Sequence, residues 1–319
     1  MTGKLILFAL AGSVCLLVVI GGCAPQVELA LKFDVGGKTS YTITEEDSKD
    51  FKFEQPSLGK VRYEPRSTTS EIRFLQEIES VDEAGAAVAK ITIKGLKYFA
   101  KDKDEVKFDF DSSRKADKKK PLASLLGKSY KIKLASDGGV EVLDAENIRK
   151  AVTGGQAGKV AQALLSDNSI QNRHEIQSLP DADKRVLRTG DSWTRTVTPQ
   201  KRLMVPKAFE KTYIIEKVTG QGENKIAVVN MTAEESPEAP AGAERMADGM
   251  GLFANMFDTD ETYTGQMVLG LATGKVAKYN EKFVTTYTAA EPSAKQKPDK
   301  GPDVLTIKLT YSTALEMVD

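Results

Sequence analysis

Along most of the chain, hydrophobic and polar residues alternate with a period of two. Val27, Leu29, Leu31 and Phe33 share one face of such a run, and Tyr41 and Ile43 resume it after Gly36 and Gly37. Ile72, Phe74, Gln76 and Ile78 alternate next, followed by a turn at 82–85 and β-rich stretches at 88–93, 106–110 and 130–134. Asp137 and Gly138 give a hairpin signal ahead of Val140 and Val142. Leu305, Ile307, Leu309 and Tyr311 close the series. Successive strand residues point to opposite faces, so one-sided runs predict antiparallel sheets with one covered and one wet face.

Two regions shift toward a helical period. Asp144 opens a segment through Ile148 and Val152 that stops at Gly154 and Gly155. A second helix is expected over 156–165, and a third, short one around Ile176 and Leu179 before Pro180. Farther on, residues 243–257 set Met246, Met250, Phe253 and Phe257 at helical spacing. Proline-bearing segments at 236–243 and 289–302 read as loops, and 114–120 as a basic surface loop. A faint repeat links 78–93 to 215–232: each runs Ile-Glu-x-Val, a glycine turn, then a return strand. The pattern predicts a mainly β, β-rich α+β fold. Two antiparallel meander halves, 23–143 and 186–319, would form a half-barrel or sandwich around a helical connector at 144–185.

Composition narrows the function classes. The 319 residues carry 45 basic and 45 acidic side chains, and this zero balance argues against a nucleic-acid partner, which needs a basic face. One histidine and two cysteines leave little room for a His-rich metal site, a Cys/His catalytic pair or a disulfide framework.

The N-terminus carries a different signal. Lys4 precedes an uncharged apolar stretch at 5–20, and Gly21 and Gly22 then lead to Cys23, Ala24 and Pro25. The stretch is short for a membrane span, which takes about 20 apolar residues. In charge, length, small residues and terminal cysteine it resembles the signal of bacterial lipoproteins. That resemblance implies removal of residues 1–22, a diacylglycerol on the Cys23 thiol and acylation of the new amino terminus. Several acyl chains, at about 0.8 kcal/mol per buried CH₂, make a stable anchor. The family's inner-membrane retention signal is an Asp after the cysteine, where this chain has Ala24. The resemblance therefore implies an outer-membrane address facing the periplasm. Removing residues 1–22 takes Cys15 and Lys4 and leaves 44 basic against 45 acidic side chains. With Cys23 lipidated, no disulfide remains to support the fold.

Candidate chemistry is sparse. His174 has no metal-ligand spacing around it and reads as a surface residue. Gly154, Gly155 and Gly158 precede a helix but lack a preceding strand and the Lys-Ser/Thr ending of a phosphate loop, so a helix–helix turn is expected. Acidic strings at 45–47, 102–105 and 258–261 miss calcium-loop spacing and read as solvated loops. Trp193 reads as a core anchor at a strand start. No catalytic residue, metal ligand or cofactor motif is assigned. The Met246, Met250, Phe253 and Phe257 stripe suits an apolar ligand, or else a helix covering the sheet.

Glycine-led strand starts, Gly36-Gly37-Lys38 and Gly190-Asp191-Ser192-Trp193, make the remainder similar to β-rich bacterial envelope lipoproteins, a resemblance that brings no activity with it. The expected role is a lipid-anchored, non-enzymatic binding or structural module, joined to the membrane through Cys23 and to an apolar ligand or envelope protein. The alternative is a periplasmic carrier of lipid or another apolar ligand, since a half-open sheet plugged by helices is similar to the periplasmic lipoprotein-carrier fold. A third reading, a hydrolase with scattered carboxylates, needs two of them about 5–10 Å apart in a cleft.

Overall fold

A computed structural model describes residues 25–198, 207–237, 256–292 and 300–318. The first half contains β1 (Val27–Glu28), β2 (Lys38–Gln55), β3 (Lys60–Val81), β4 (Ala87–Asp102), β5 (Glu105–Asp111), β6 (Ser129–Leu134) and β7 (Val140–Asp144). Three helices follow: α1 (Glu146–Arg149), α2 (Gly155–Leu165) and α3 (Asp167–His174). The second half contains β8 (Val186–Leu187), β9 (Ser192–Val197), β10 (Phe209–Thr219), β11 (Ile226–Glu235), β12 (Asp258–Gly270), β13 (Lys275–Ala290) and β14 (Val304–Val318).

Twelve strands make one antiparallel sheet in the order β7-β6-β4-β3-β2-β14-β13-β12-β11-β10-β9, with β5 also on β4. The fold is therefore β-rich α+β, with two meanders and a helical insert, as the alternation predicts. What joins the meanders is a pairing of near-opposite chain ends. β14 runs against β2 from Val304 opposite Glu54 to Val318 opposite Ser40. A register shift at Arg73/Phe74 bends the β3–β4 pair, and β4 then serves two partners. Its first part pairs with β6 and its last part with β5.

The inner face of the first half is aliphatic. On β4, Ala87, Ala89, Ile91 and Ile93 alternate inward and are buried, beside Ile72 of β3 and Ile132 of β6. The helices fill the space above them. In α2, Val160, Ala161, Leu164 and Leu165 form one buried stripe, and Ile148 of α1 is fully buried. Ser166 ends α2 and caps α3, its hydroxyl accepting from the Ser169 amide at 3.2 Å. Burial of these side chains contributes the bulk of the fold's hydrophobic stabilisation.

Several local expectations are corrected. The first alternating run pairs for only two residues, with β8. Beyond them it stays extended and crosses from one half to the other: Leu31 donates to Ser136 O at 2.8 Å and Lys32 to Gly274 O at 3.3 Å. The third helix ends at His174, ahead of Ile176 and Leu179, which are buried in a strap that turns at 177–179, the Leu179 amide donating to Ile176 O at 3.3 Å. His174 is buried, not superficial, because α3 turns its last residues inward. The acidic string at 45–47 lies within β2, and that at 258–261 begins β12. Asp117 of the basic loop is buried, accepting from the Asp111 amide at 2.8 Å and pairing with Arg114 and Lys120.

Candidate functional site

The strap that follows α3 crosses the inner face of the sheet and is gripped from both halves. On the first-half side, the Ile176 amide donates to Gly138 O at 3.1 Å. Gly138 has φ +88°, and a Cβ there would lie 2.4 Å from Ile176 O, so the glycine is what lets the strap approach. The hydroxyl of Tyr130 and Nε2 of His174 are 2.7 Å apart. Burial, reinforced by the neighbouring Arg173 charge, pushes the His174 pKa down to about 3, so the imidazole is neutral. Arg173 is itself buried and points one guanidinium nitrogen at Glu45 Oε2, 3.4 Å away.

On the second-half side the strap meets a buried polar node. Lys211 lies on the inner face of β10, fully enclosed, and donates to Gln177 Oε1 at 2.8 Å and to Glu281 Oε1 at 2.7 Å. The hydroxyls of Tyr263 and Tyr279 also donate to Glu281. The Lys211 ammonium stands 4.4 Å from the centre of the Tyr263 ring. Desolvation lowers the Lys211 pKa, opposed by Glu281. Desolvation and the Glu281 charge together raise both tyrosines. Three donors on one carboxylate make the buried charge tolerable.

Lys211 and Glu281 are on β10 and β13, three strand spacings apart, which on a flat sheet is about 14 Å. The two long side chains lean toward each other over the intervening strands to make the contact. Small residues clear the path: Ala233 stands opposite Lys211, and Gly265 opposite Glu281.

Beyond the node the inner face becomes aromatic. The ring centres of Tyr263 and Phe283 are 5.0 Å apart, Phe209 lies 5.3 Å from Phe283, and Tyr311 stacks on Phe283 at 6.3 Å. A cavity of about 180 Å³ opens between this wall and the strap, bordered by Glu175, Gln177, Val197, Tyr263, Glu281, Phe283 and Tyr311. A smaller void of about 70 Å³ lies toward the N-terminal crossing segment, near Tyr41, Phe74 and Leu315.

The residues proposed from sequence are placed as follows. Cys23, Met246, Met250 and Phe253 lie outside the described residues. Phe257 is half-buried just before β12 and meets Tyr287 edge-on at 6.3 Å, extending the aromatic face without bordering the cavity. Trp193 is half-buried, faces inward and stacks on Tyr213 at 5.7 Å. Gly154 and Gly155 form the entry to α2, as a helix–helix turn. Among the described residues no group of three His, Cys, Asp or Glu side chains is arranged to hold a metal. Lys211, Tyr263, Tyr279 and Glu281 were missed by sequence reasoning. Their signal is a charged residue at the inward phase of an apolar strand: Phe209-x-Lys211-x-Tyr213 and Tyr279-x-Glu281-x-Phe283.

No family model and no curated protein matches the chain. Among solved structures, one of lipid–protein interactions in lipovitellin aligns with 90% of this chain and 26% of its own, at 10% identity and TM-score 0.45. The chain thus spans about a quarter of that protein. DynF from the dynemicin pathway of Micromonospora chersina aligns over 92% and 85% of the two chains at 9% identity, TM-score 0.16. Pseudomonas aeruginosa OccK5 aligns over 89% and 99% at 9% identity, TM-score 0.22. At these scores the likenesses carry no argument about function.

Proposed function

We propose that this protein is a lipid-anchored module of the bacterial envelope that holds an apolar or amphiphilic ligand against the inner face of its second half, without catalysis. The observation that carries the reading is the cavity of about 180 Å³ on the aromatic wall of Tyr263, Phe283 and Tyr311. Ligand sites pair an apolar surface with convergent polar groups, and here the aromatic wall faces a border that includes Glu175, Gln177, Thr198 and Ser312, the mix an amphiphile needs. The anchor rests on the sequence around Cys23. Membrane address, outer-membrane sorting and absence of catalysis belong to the same proposal.

Native mass spectrometry of residues 24–319, taken gently from a bacterial periplasm, tests the ligand. A bound mass that denaturation releases, matching an amphiphile, supports the reading; a clean apo mass overturns it. The anchor has a separate test. In the full chain, Cys23→Ala should abolish incorporation of labelled palmitate and release the protein from the membrane fraction. Undiminished labelling would remove Cys23 from its assigned role.

A further inference from the structure

The cavity has a chemical bias that the apolar reading alone does not explain. Among the described residues its border carries two carboxylates, Glu175 and Glu281, and no lysine or arginine. Glu281 is answered by Lys211 from behind. Glu175 is not: its carboxylate accepts from Gln177 Nε2 at 3.3 Å and forms no ion pair among the described residues. Opposite it stand Tyr263, Phe283 and Tyr311, whose ring faces are electron-rich. Behind the wall the Tyr213 hydroxyl, with its side chain 1% exposed, has no hydrogen-bond partner. It lies within the fields of Glu281 and Glu175, partly opposed by Arg195.

An anionic head group would meet Glu175 without a lining cation to offset it, and an uncharged one would leave that carboxylate desolvated and unpaired. A positively charged ammonium satisfies both requirements, through Coulomb attraction to Glu175 and cation–π contact with the rings. We infer that the cavity receives the ammonium end of a cationic amphiphile, with Glu175 as its counter-charge and Tyr263, Phe283 and Tyr311 as its aromatic wall. The inference rests on the ligand-binding reading above and specifies the ligand class.

The test uses residues 24–319, which contain every described residue, and three probes with the same twelve-carbon tail: dodecyltrimethylammonium, dodecanoate and dodecyl maltoside. Binding below the micellar concentration is read by calorimetry, and independently by fluorescence of Trp193, the chain's single tryptophan. Dodecyltrimethylammonium should bind about ten-fold more tightly than dodecanoate at pH 7. In Glu175→Gln, which keeps side-chain size and leaves the Lys211 node intact, that preference should fall to about three-fold or less. Unchanged circular dichroism of this variant confirms that it is folded. Equal or tighter binding of dodecanoate overturns the ammonium assignment while the apolar-ligand reading stands. A preference that survives Glu175→Gln also overturns it, since the selectivity then has another source. If none of the three probes binds, the ligand-binding reading fails and the inference with it.

Discussion

The two halves of the sheet are built from the same meander but cover their inner faces differently. Under α1–α3, the first half presents Ala89, Ile91, Ile93 and Ile132 to a matching aliphatic stripe, and the interface is packed. Among the described residues, the second half presents Tyr263, Phe283 and Tyr311 with Lys211 and Glu281 where the strap lies across it, while its Ile215, Val229, Met231 and Met267 join the shared packed core. Aliphatic side chains on a helix interdigitate with aliphatic side chains on strands and leave few voids. Large flat rings beside the strap leave the cavity of about 180 Å³. The contrast is one of lining: aliphatic under the helices, aromatic and polar beside the strap.

The comparison breaks first at the buried node. Lys211→Ala leaves Glu281 without its counter-charge in an enclosed position and should cost about 3–5 kcal/mol in urea unfolding. The double variant Lys211→Met with Glu281→Gln should recover much of that loss. A single-variant cost below about 1 kcal/mol would show that the pair does not organise the inner face.

Next in size is a paired measurement across the halves. Leu165→Ala, in the packed stripe of α2, should cost about 3 kcal/mol. Phe283→Leu, beside the cavity, should cost about 1.5 kcal/mol or less, because a wall already facing a void loses fewer contacts. Equal costs would erase the distinction between the packed stripe and the cavity wall.

The strap between them is probed by Gly138→Ala. Its positive φ and the 2.4 Å approach to Ile176 O predict a loss of about 1–3 kcal/mol from strain and displacement of the strap. Thermal denaturation reads it, and an unchanged midpoint would mean that the strap moves aside freely.

The last probe is a pH dependence, whose effect is smallest near neutral pH and grows as pH falls. His174 is neutral in the fold, with its pKa lowered to about 3, whereas in the unfolded chain it titrates near 6.5. The unfolded state therefore binds more protons as pH falls, and stability drops from about pH 6.5 toward pH 3. The contribution of this one group is at most about 1.4 kcal/mol per pH unit. A slope that persists unchanged in His174→Gln would assign the pH dependence to other groups.

Much of this architecture was legible in the residues. Strand 275–290 alternates because one face is buried, and the hairpin at Asp137 and Gly138 falls where its turn chemistry puts it. Helix α2 was legible from its apolar spacing and flanking glycines. The first alternating run misled, because alternation states that one face is buried but not that a neighbouring strand is present. His174 misled for the opposite reason: a polar residue at the end of a polar helix has no sequence mark of burial, and only the packing of α3 on the sheet encloses it.

The sequence by itself determined many of the strands, the turn at Asp137 and Gly138, which side chains share a face, and the lipoprotein-like segment ending at Cys23. Those properties depend on neighbours a few residues apart. The tertiary structure alone decided that β2 pairs with β14, that Lys211 reaches Glu281 over the intervening strands, and that Glu175 of the strap faces Phe283 and Tyr311. Those meetings join residues tens to hundreds of positions apart. Their geometry is set by strand order and sheet curvature, which emerge only when the whole inner face is packed at once.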